Sequence, residues 1–251
     1  MLQAVLFDLD NTLLGNHMDT FMPHYFALLG DYARPIMEKE RFLQELMVCT
    51  KATMESTDTA VSNRDIFWQT FQARNQIDPN ELEQFFDKFY QTDFWQLQSV
   101  VQYRPEAATL VKACQEMGLQ VVIATNPLFP RRAVEARLAW AGLPVDTYTF
   151  DLVTTYDNMH STKPHLSYYQ EILQAINCPP EEALMVGDDW DWDMLPAAAL
   201  KMHRYWLPPD ETTSPPDSAA VTAYGSLTHF ADLVQSGWLA QLAEPTQQSM
   251  D

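Results

Sequence analysis

Basic residues and long apolar runs are both scarce in this sequence of 251 residues. Lys and Arg together number 15 against 34 Asp and Glu, which gives a formal net charge of -19. A surface of this charge repels nucleic acid backbones and anionic lipid head groups, so we expect neither nucleic acid nor membrane partners. No apolar stretch approaches the roughly 20 residues that cross a bilayer. The first apolar run meets Asp8 and Asp10 too early for a signal peptide.

Cysteine is scarce as well. Cys49, Cys114 and Cys178 are odd in number and far apart, and they form neither a CxxC pair nor a zinc-type spacing with histidine. A disulfide framework and a zinc site are therefore not expected. We interpret the three residues as reduced, buried thiols of a cytoplasmic protein.

The residues that are present have the composition of a globular protein, with 47% hydrophobic and 20% charged residues. Short apolar runs alternate with helical patterns along much of the chain. The predicted strands are 2–7, 120–125, 149–155, 183–187 and 203–207, and the predicted helices between and after them are 105–118, 131–142, 164–176 and 193–200. This alternation predicts an α/β fold with a doubly wound parallel sheet.

One connection is far too long for this pattern. A parallel crossover needs about a dozen residues, whereas about 110 separate Asp8 from the strand at 120. Four helical patterns fill that stretch, and the last begins where Asp78 or Asn80 can cap a helix with Pro79 in its first turn. We therefore predict an all-helical cap domain at 16–98 and an α/β core domain at 1–15 and 99–251.

The C-terminal part of the core carries weaker signals. Residues 208–218 are rich in Pro, Ser and Thr, which predicts a loop. An amphipathic pattern at 226–235 predicts one further helix.

Polar side chains stand where the predicted strands end. Open parallel sheets bind their ligands in the crevice beyond the carboxyl ends of the strands, so we expect these side chains to meet in one place. They are Asp8 and Asp10 after the first strand, Thr125 and Asn126 after the second, Lys163 after the third, and Asp188 after the fourth.

The motifs that contain these residues resemble those of the haloacid dehalogenase superfamily of phosphohydrolases. FDLDNTLL at 7–14 resembles its first motif, Thr125-Asn126 the second, Lys163-Pro164 the third, and VGDDWDWD at 186–193 the fourth. A helical insert directly after the first motif is also the usual position of a cap in that family. The resemblance implies a Rossmann-like core with a helical cap and a phosphatase activity.

The chemistry that this resemblance implies agrees with the physical needs of phosphoryl transfer. A phosphomonoester is a dianion, so a carboxylate attacks it only where cations offset the repulsion. Asp8 is then the nucleophile and, with Asp188, a ligand of Mg²⁺. The resemblance adds the backbone carbonyl of Asp10 as a third ligand. The Asp10 carboxylate is left to act as general acid and base.

The other motif residues supply charge and hydrogen bonds. Lys163 is expected to provide a second positive charge, and Thr125 and Asn126 are expected to hold phosphoryl oxygens. Asp193 is expected to lie behind the metal ligands and to orient a metal-bound water or Lys163. The expected partner is a small phosphorylated metabolite.

Several alternatives stay open at this point. A phosphomutase uses the same carboxylates, and a catalytically silent module can retain the fold. A carbon–halogen hydrolase is disfavoured because such relatives lack the second aspartate of the first motif, here Asp10. An EF-hand-like calcium loop starting at Asp189 is disfavoured because Met194 and Leu200 replace the Gly and Glu that it requires. We interpret Asp189 and Asp191 as helix-capping or first-turn acids.

The identity of the substrate and the oligomeric state cannot be read from this sequence. A sugar phosphate, a nucleotide and a phosphorylated carboxylic acid all fit the motifs. Five further polar residues near the expected site are left without a role: His17, His24, His160, Arg131 and Arg132.

Overall fold

A single parallel sheet of six strands forms the centre of the protein, as seen in a computed structural model that describes residues 1–242. The strands are β1 (Ala4–Phe7), β2 (Gln120–Ile123), β3 (Leu152–Val153), β4 (Ala183–Gly187), β5 (His203–Trp206) and β6 (Ala223–Tyr224). Their order across the sheet is β3-β2-β1-β4-β5-β6. β1 therefore lies inside the sheet, paired in register with both β2 and β4.

Within residues 1–242, ten α-helices surround or extend from this sheet. They are α1 (Met18–Tyr32), α2 (Lys39–Glu55), α3 (Asn63–Asn75), α4 (Pro79–Gln91), α5 (Pro105–Glu116), α6 (Arg131–Trp140), α7 (Leu166–Ala175), α8 (Leu195–Ala199), α9 (Leu227–Gln235) and α10 (Trp238–Gln241). Alternate residues of β1 belong to separate buried clusters, Val5 and Phe7 to one and Ala4 and Leu6 to the other. Both faces of the sheet are covered, and the predicted doubly wound α/β fold is confirmed.

The long insertion between β1 and β2 is helical, as predicted. It contains α1 to α4, followed by a 3₁₀ helix at Asp93–Val100. Asp78 caps α4 by accepting the Asn80 N–H at 2.9 Å. α2 begins at Lys39, and the Glu38 side chain caps it by accepting the backbone N–H groups of Glu40 and Arg41. The division into domains at 15/16 and 98/99 stays a prediction.

The weaker signals of the sequence had mixed outcomes. The helix predicted at 226–235 is confirmed as α9. The strand predicted at 149–155 shrinks to the two residues of β3, and β6 and α10 were not predicted. Elements of two to four residues are too short to show a periodicity. Within residues 1–242, no helix is both long and apolar enough to cross a membrane.

The start of α3 joins the inserted helices to the core. Asn63 is fully buried, and its Nδ2 donates to Ser161 O at 3.0 Å and to Pro127 O at 3.3 Å. Its backbone N–H donates to Met159 O at 2.8 Å. These acceptors belong to the loops that also carry Asn126 and Lys163. The inserted helices are therefore tied to the loops that the sequence identified as functional.

We expect Asn63→Ala to lower the free energy of unfolding by about 1–3 kcal/mol, because two buried carbonyls lose their donor. Asn75→Ala, at the other end of the same helix, is the matched control and should cost less, because Asn75 is only half-buried. Urea denaturation followed by circular dichroism measures both. Equal losses in the two variants would show that the Asn63 contacts contribute nothing specific.

Candidate active site

A buried lysine lies at the centre of the polar residues at the carboxyl edge of the sheet. Lys163 Nζ donates to Asp8 Oδ1 at 2.7 Å and to Asp193 Oδ1 at 2.6 Å. Asp8 directly follows β1, and Asp193 lies in a π-helical turn, Trp190–Met194, after β4. Three residues that are far apart in the sequence are thereby joined in one ion-paired group.

Burial and charge act in opposite directions on this group. Burial lowers the pKa of Lys163, but the carboxylates of Asp193 and Asp8 outweigh it, and the net shift is well above the usual value. Burial raises the pKa values of Asp8 and Asp193, and Lys163 opposes the rise. The ammonium therefore stays charged, and the buried carboxylates depend on positive charge nearby.

Asp188 brings a third carboxylate to the same place. Its Oδ2 accepts a hydrogen bond from Asn11 Nδ2 at 2.7 Å. Its pKa is raised by burial and, to a smaller extent, by the negative charge of Asp8. One oxygen each of Asp8, Asp188 and Asp193 lie within 4.8 Å of one another. Hard divalent cations take such oxygen ligands, so this donor set fits Mg²⁺.

The three carboxylates differ in how many oxygens are left for a cation. Both oxygens of Asp193 accept from the protein, Oδ1 from Lys163 and Oδ2 from the Asp189 N–H at 3.2 Å. Asp8 and Asp188 each have one oxygen without a protein donor among residues 1–242. This difference is compatible with the prediction that Asp8 and Asp188 bind the metal directly and that Asp193 does not.

The second carboxylate of the first motif faces different partners. Asp10 Oδ1 accepts from Asn16 Nδ2 at 2.6 Å, and Asp10 Oδ2 accepts from Arg137 Nη1. Arg137 comes from α6 and is almost completely buried, with 1% of its surface exposed. The first motif thus presents two carboxylates that are held by two different cations.

Thr125 and Asn126 lie in the loop just after β2, beside this group. The Asn126 side-chain oxygen accepts the backbone N–H of Lys163 at 3.2 Å. Thr125 O accepts from Thr154 Oγ1 at 2.6 Å and from Tyr168 OH at 2.9 Å. In the described chain neither the Thr125 hydroxyl nor the Asn126 amide nitrogen donates to protein. These two donors are thus available for a ligand, and their role as phosphoryl-binding groups stays a prediction.

Helix α7 and the residues just before it help to hold the ion-paired group in place. Lys163 precedes it by three positions, and its first turn carries two buried tyrosines in sequence. Tyr168 holds the end of β2, whereas the Tyr169 hydroxyl donates to Trp192 O in the turn that carries Asp193. The aspartate interpreted as a helix cap is confirmed: Asp189 accepts the N–H groups of Asp191 and Trp192.

Sequence reasoning missed several supporting side chains. Asn11 and Asn16 lie in the first motif and the segment after it, where amide side chains are ordinary loop residues. Arg104 Nη1 holds that loop by donating to Asn11 O and Thr12 O, both at 2.8 Å. Arg137 left the clearest signal. It lies among the apolar positions of α6, and an arginine in such a stripe requires a buried acceptor.

The unassigned polar residues lie away from the carboxylates or have other partners. His17 and His24 are exposed, and His160 Nδ1 pairs with Glu171 at 2.7 Å. Arg131 and Arg132 pair with Glu135 and Asp87 on the surface. None of the five forms a hydrogen bond or an ion pair with Asp8, Asp10 or Lys163 in the part of the chain that is described.

A cavity of about 920 Å³ lies between α1 to α4 and the loop that follows Asn126. Its lining includes ten aromatic residues, among them Tyr25, Trp68 and Phe129, and eight charged residues, among them Arg131 and Arg132. The carboxylates of the site are not among its lining residues. Phe129 connects the two regions, because its ring centroid lies 4.6 Å from the guanidinium carbon of Arg137.

The comparison with protein families agrees with this arrangement. The sequence model of the haloacid dehalogenase-like hydrolases matches residues 2–201. The chain belongs to this family.

Relatives of this haloacid dehalogenase-like hydrolase include proteins with different names. It is 29% identical over 150 residues to haloacid dehalogenase-like hydrolase domain-containing protein 3 of Xenopus laevis, a match that covers 58% of this chain and 56% of the relative. It is 28% identical over 188 residues to pyrophosphatase PpaX of Bacillus cereus strain Q1, covering 75% of each.

Solved structures share the fold at lower identity. A phosphatase of the family from Thermococcus onnurineus aligns with 18% identity and a TM-score of 0.57, covering 93% of this chain and 98% of that one. A 2-haloacid dehalogenase from Pseudomonas syringae pv. Tomato aligns with 18% identity and a TM-score of 0.62, covering 95% and 100%. Such similarity shows that these proteins share a fold with this hydrolase.

Of the seven glycines in this hydrolase, Gly187 leaves the least room for a side chain. A Cβ added there would lie 2.6 Å from Asp193 Cγ, so Asp193 would have to move and release Lys163. We expect Gly187→Ala to destabilise the fold by about 1–3 kcal/mol, the usual cost of overpacking. The cost should shrink in an Asp193→Ala background, because the closest atoms are then absent. Thermal denaturation of the four proteins tests this, and an unchanged cost would contradict it.

Proposed function

We propose that the protein is a magnesium-dependent phosphatase that hydrolyses a small phosphomonoester through a phosphoaspartyl intermediate on Asp8. The observation that carries the proposal is the environment of Asp8. One of its oxygens is fixed by Lys163, and the other has no protein donor within the described residues. The free oxygen is available to attack phosphorus, and the oxygen held by Lys163 keeps a second lone pair for Mg²⁺, while the lysine offsets the negative charge of the substrate.

In the first step the free oxygen of Asp8 forms a bond to phosphorus, and the bond from phosphorus to the leaving oxygen breaks. Asp10 gives a proton to that departing oxygen. The donors of Thr125 and Asn126 hold the phosphoryl oxygens in place. Lys163 stabilises the charge that they carry.

In the second step Asp10 takes a proton from water, and the water oxygen attacks phosphorus. The bond between phosphorus and Asp8 breaks, which restores the Asp8 carboxylate and releases phosphate. Asp8, Asp188 and the backbone carbonyl of Asp10 are the groups proposed to hold Mg²⁺. When bound, Mg²⁺ supplies positive charge against the carboxylates and the phosphoryl group.

Pyrophosphate is a second candidate substrate, because relatives named as pyrophosphatases match 75% of the chain. We propose an organic leaving group instead, because a cavity with many aromatic lining residues begins at Leu128, two residues after Asn126. A phosphomutase would use the same residues but shield its phosphoaspartate from water. A screen of sugar phosphates, nucleotides, phosphorylated acids and pyrophosphate, with release of inorganic phosphate as the readout, separates these candidates.

A cytoplasmic location is part of this proposal. Cys49, Cys114 and Cys178 are all buried free thiols. Burial raises the pKa of each thiol, which keeps it protonated and weakly reactive. Such residues are compatible with the reducing compartment in which small phosphorylated metabolites occur.

We expect activity on p-nitrophenyl phosphate to vanish in EDTA and to return with Mg²⁺, because the carboxylate cluster repels a dianion without a cation. Ca²⁺ should substitute poorly, since its coordination is larger and looser. Mg²⁺ alone should also raise the melting temperature, and Asp188→Asn should reduce that rise. Full turnover in EDTA would contradict the proposal.

Replacing each carboxylate of the first motif by asparagine should block a different step of the reaction. Asp8→Asn cannot form the intermediate, so turnover should fall to background. Asp10→Asn should still be phosphorylated by an aryl phosphate, whose good leaving group needs little protonation. Its turnover should fall about a hundredfold to ten-thousandfold because the base of the second step is lost.

Intact-protein mass spectrometry of rapidly quenched samples with Mg²⁺ distinguishes the two variants. Asp10→Asn should carry one added phosphoryl group and Asp8→Asn none. Normal turnover by Asp8→Asn would show that the nucleophile is a different residue.

A further inference from the structure

Arg137 is a buried cation that no motif of the sequence includes. Its Nη1 donates to Asp10 Oδ2, and its Nε donates to Ala133 O at 3.3 Å within α6. Its Nη2 is buried and has no hydrogen-bond partner among residues 1–242. A buried donor without an acceptor costs stability, and an apolar side chain of similar volume often packs as well as a buried ion pair. Fold stability alone therefore gives no reason for an arginine here.

The contacts of Asp10 indicate what the arginine does. Asp10 is joined to Arg137 through Oδ2 and to Asn16, which is fully buried, through Oδ1. A carboxylate that is held through both oxygens by two side chains cannot rotate freely about its Cβ–Cγ bond. Asp8 is held separately by Lys163. Each carboxylate of the first motif thus has its own cation, supplied by a different part of the core.

We propose that Arg137 is a positioning residue that fixes the orientation of Asp10 for the water-activating step. This inference rests on the proposed function. In that step Asp10 takes a proton from water, the water oxygen bonds to phosphorus, and the bond from phosphorus to Asp8 Oδ breaks, leaving a carboxylate on Asp8. The step requires the Asp10 oxygen within hydrogen-bond distance of the water, and a misplacement of about 1 Å costs about a hundredfold in rate.

The arginine also connects the general base to the large cavity. Its guanidinium lies over the Phe129 ring, and the same ring forms part of the cavity wall. A cation over an aromatic face is attracted to it, which adds a second restraint on the guanidinium beside its ion pair. Phe129 and Asp10 together therefore hold Arg137 in one orientation.

The test compares Arg137→Met, which removes the cation, with Arg137→Lys, which keeps a charge but lacks the planar fork. With p-nitrophenyl phosphate and Mg²⁺, the first turnover should proceed as a burst close to that of the unaltered protein. Steady-state turnover should then fall about tenfold to a hundredfold in Arg137→Met, and less in Arg137→Lys. The phosphoenzyme should accumulate in quenched samples of both.

A double-variant comparison separates positioning from a general structural role. In an Asp10→Asn background, Arg137→Met should lower turnover by less than about twofold, because the group it positions is already lost. Arg204→Lys is the matched control. Arg204 is partly buried, and its guanidinium donates to Ala220 O and Met202 O, far from the carboxylates. Its replacement should therefore leave both the burst and the steady-state rate unchanged.

The outcomes are distinct. Equal loss of burst and steady-state rates in both Arg137 variants, with additive effects in the Asp10→Asn background, would overturn the positioning role. If Arg137→Met does not fold, Arg137→Lys alone decides through the same two phases. If Asp10→Asn itself accumulates no phosphoenzyme, the proposed function fails. If Asp10→Asn accumulates it and the Arg137 variants do not, only the role of Arg137 fails.

Discussion

A buried ammonium group determines how the carboxyl edge of the sheet is built. Lys163 Nζ bonds carboxylates from the ends of two adjacent strands, β1 and β4, and is itself 3% exposed. Without this cation, Asp8 and Asp193 would be uncompensated negative charges in a region with little water, a condition that proteins relieve by protonation or by unfolding. The asparagine and tyrosine contacts around the group serve to place the lysine and its two acceptors.

Much of this arrangement follows from sequence patterns, and the reason is geometric. Apolar runs such as residues 183–187 are long enough to indicate strands, and parallel strands bring their carboxyl ends to one edge. Asp8, Lys163 and Asp188 could therefore be expected to meet before any coordinates were known, and Asp193 was added by the resemblance to the fourth family motif. The inserted helices could be located because the first crossover is too long. β6 and the true length of β3 could not, since a two-residue strand has no pattern of its own.

The partners of Asp10, in contrast, could not be predicted from the ends of the strands. Nothing in the spacing between residues 10 and 137 connects them, because the ion pair depends on how α6 packs against the loop after β1. The sequence indicates only one member of this ion pair. An arginine within the apolar stripe of α6 shows that a buried acceptor exists, but does not say which carboxylate it is. A buried charge in an otherwise apolar helix face is thus worth treating as half of a pair whose other half lies in the site.

Helix α7 has a consequence for how this site can change over evolutionary time. Lys163 just before it, Tyr168 and Tyr169 all depend on the position of that one helix. Exposed residues on its outer face, such as Gln170 and Gln174, can drift and shift the helix slightly. A shift of this kind moves the ammonium and both hydroxyls as one rigid body. Because the acceptors Asp8, Thr125 and Trp192 do not lie on that helix, such a shift disturbs all three contacts together, and the site therefore constrains even the residues of α7 that do not touch it.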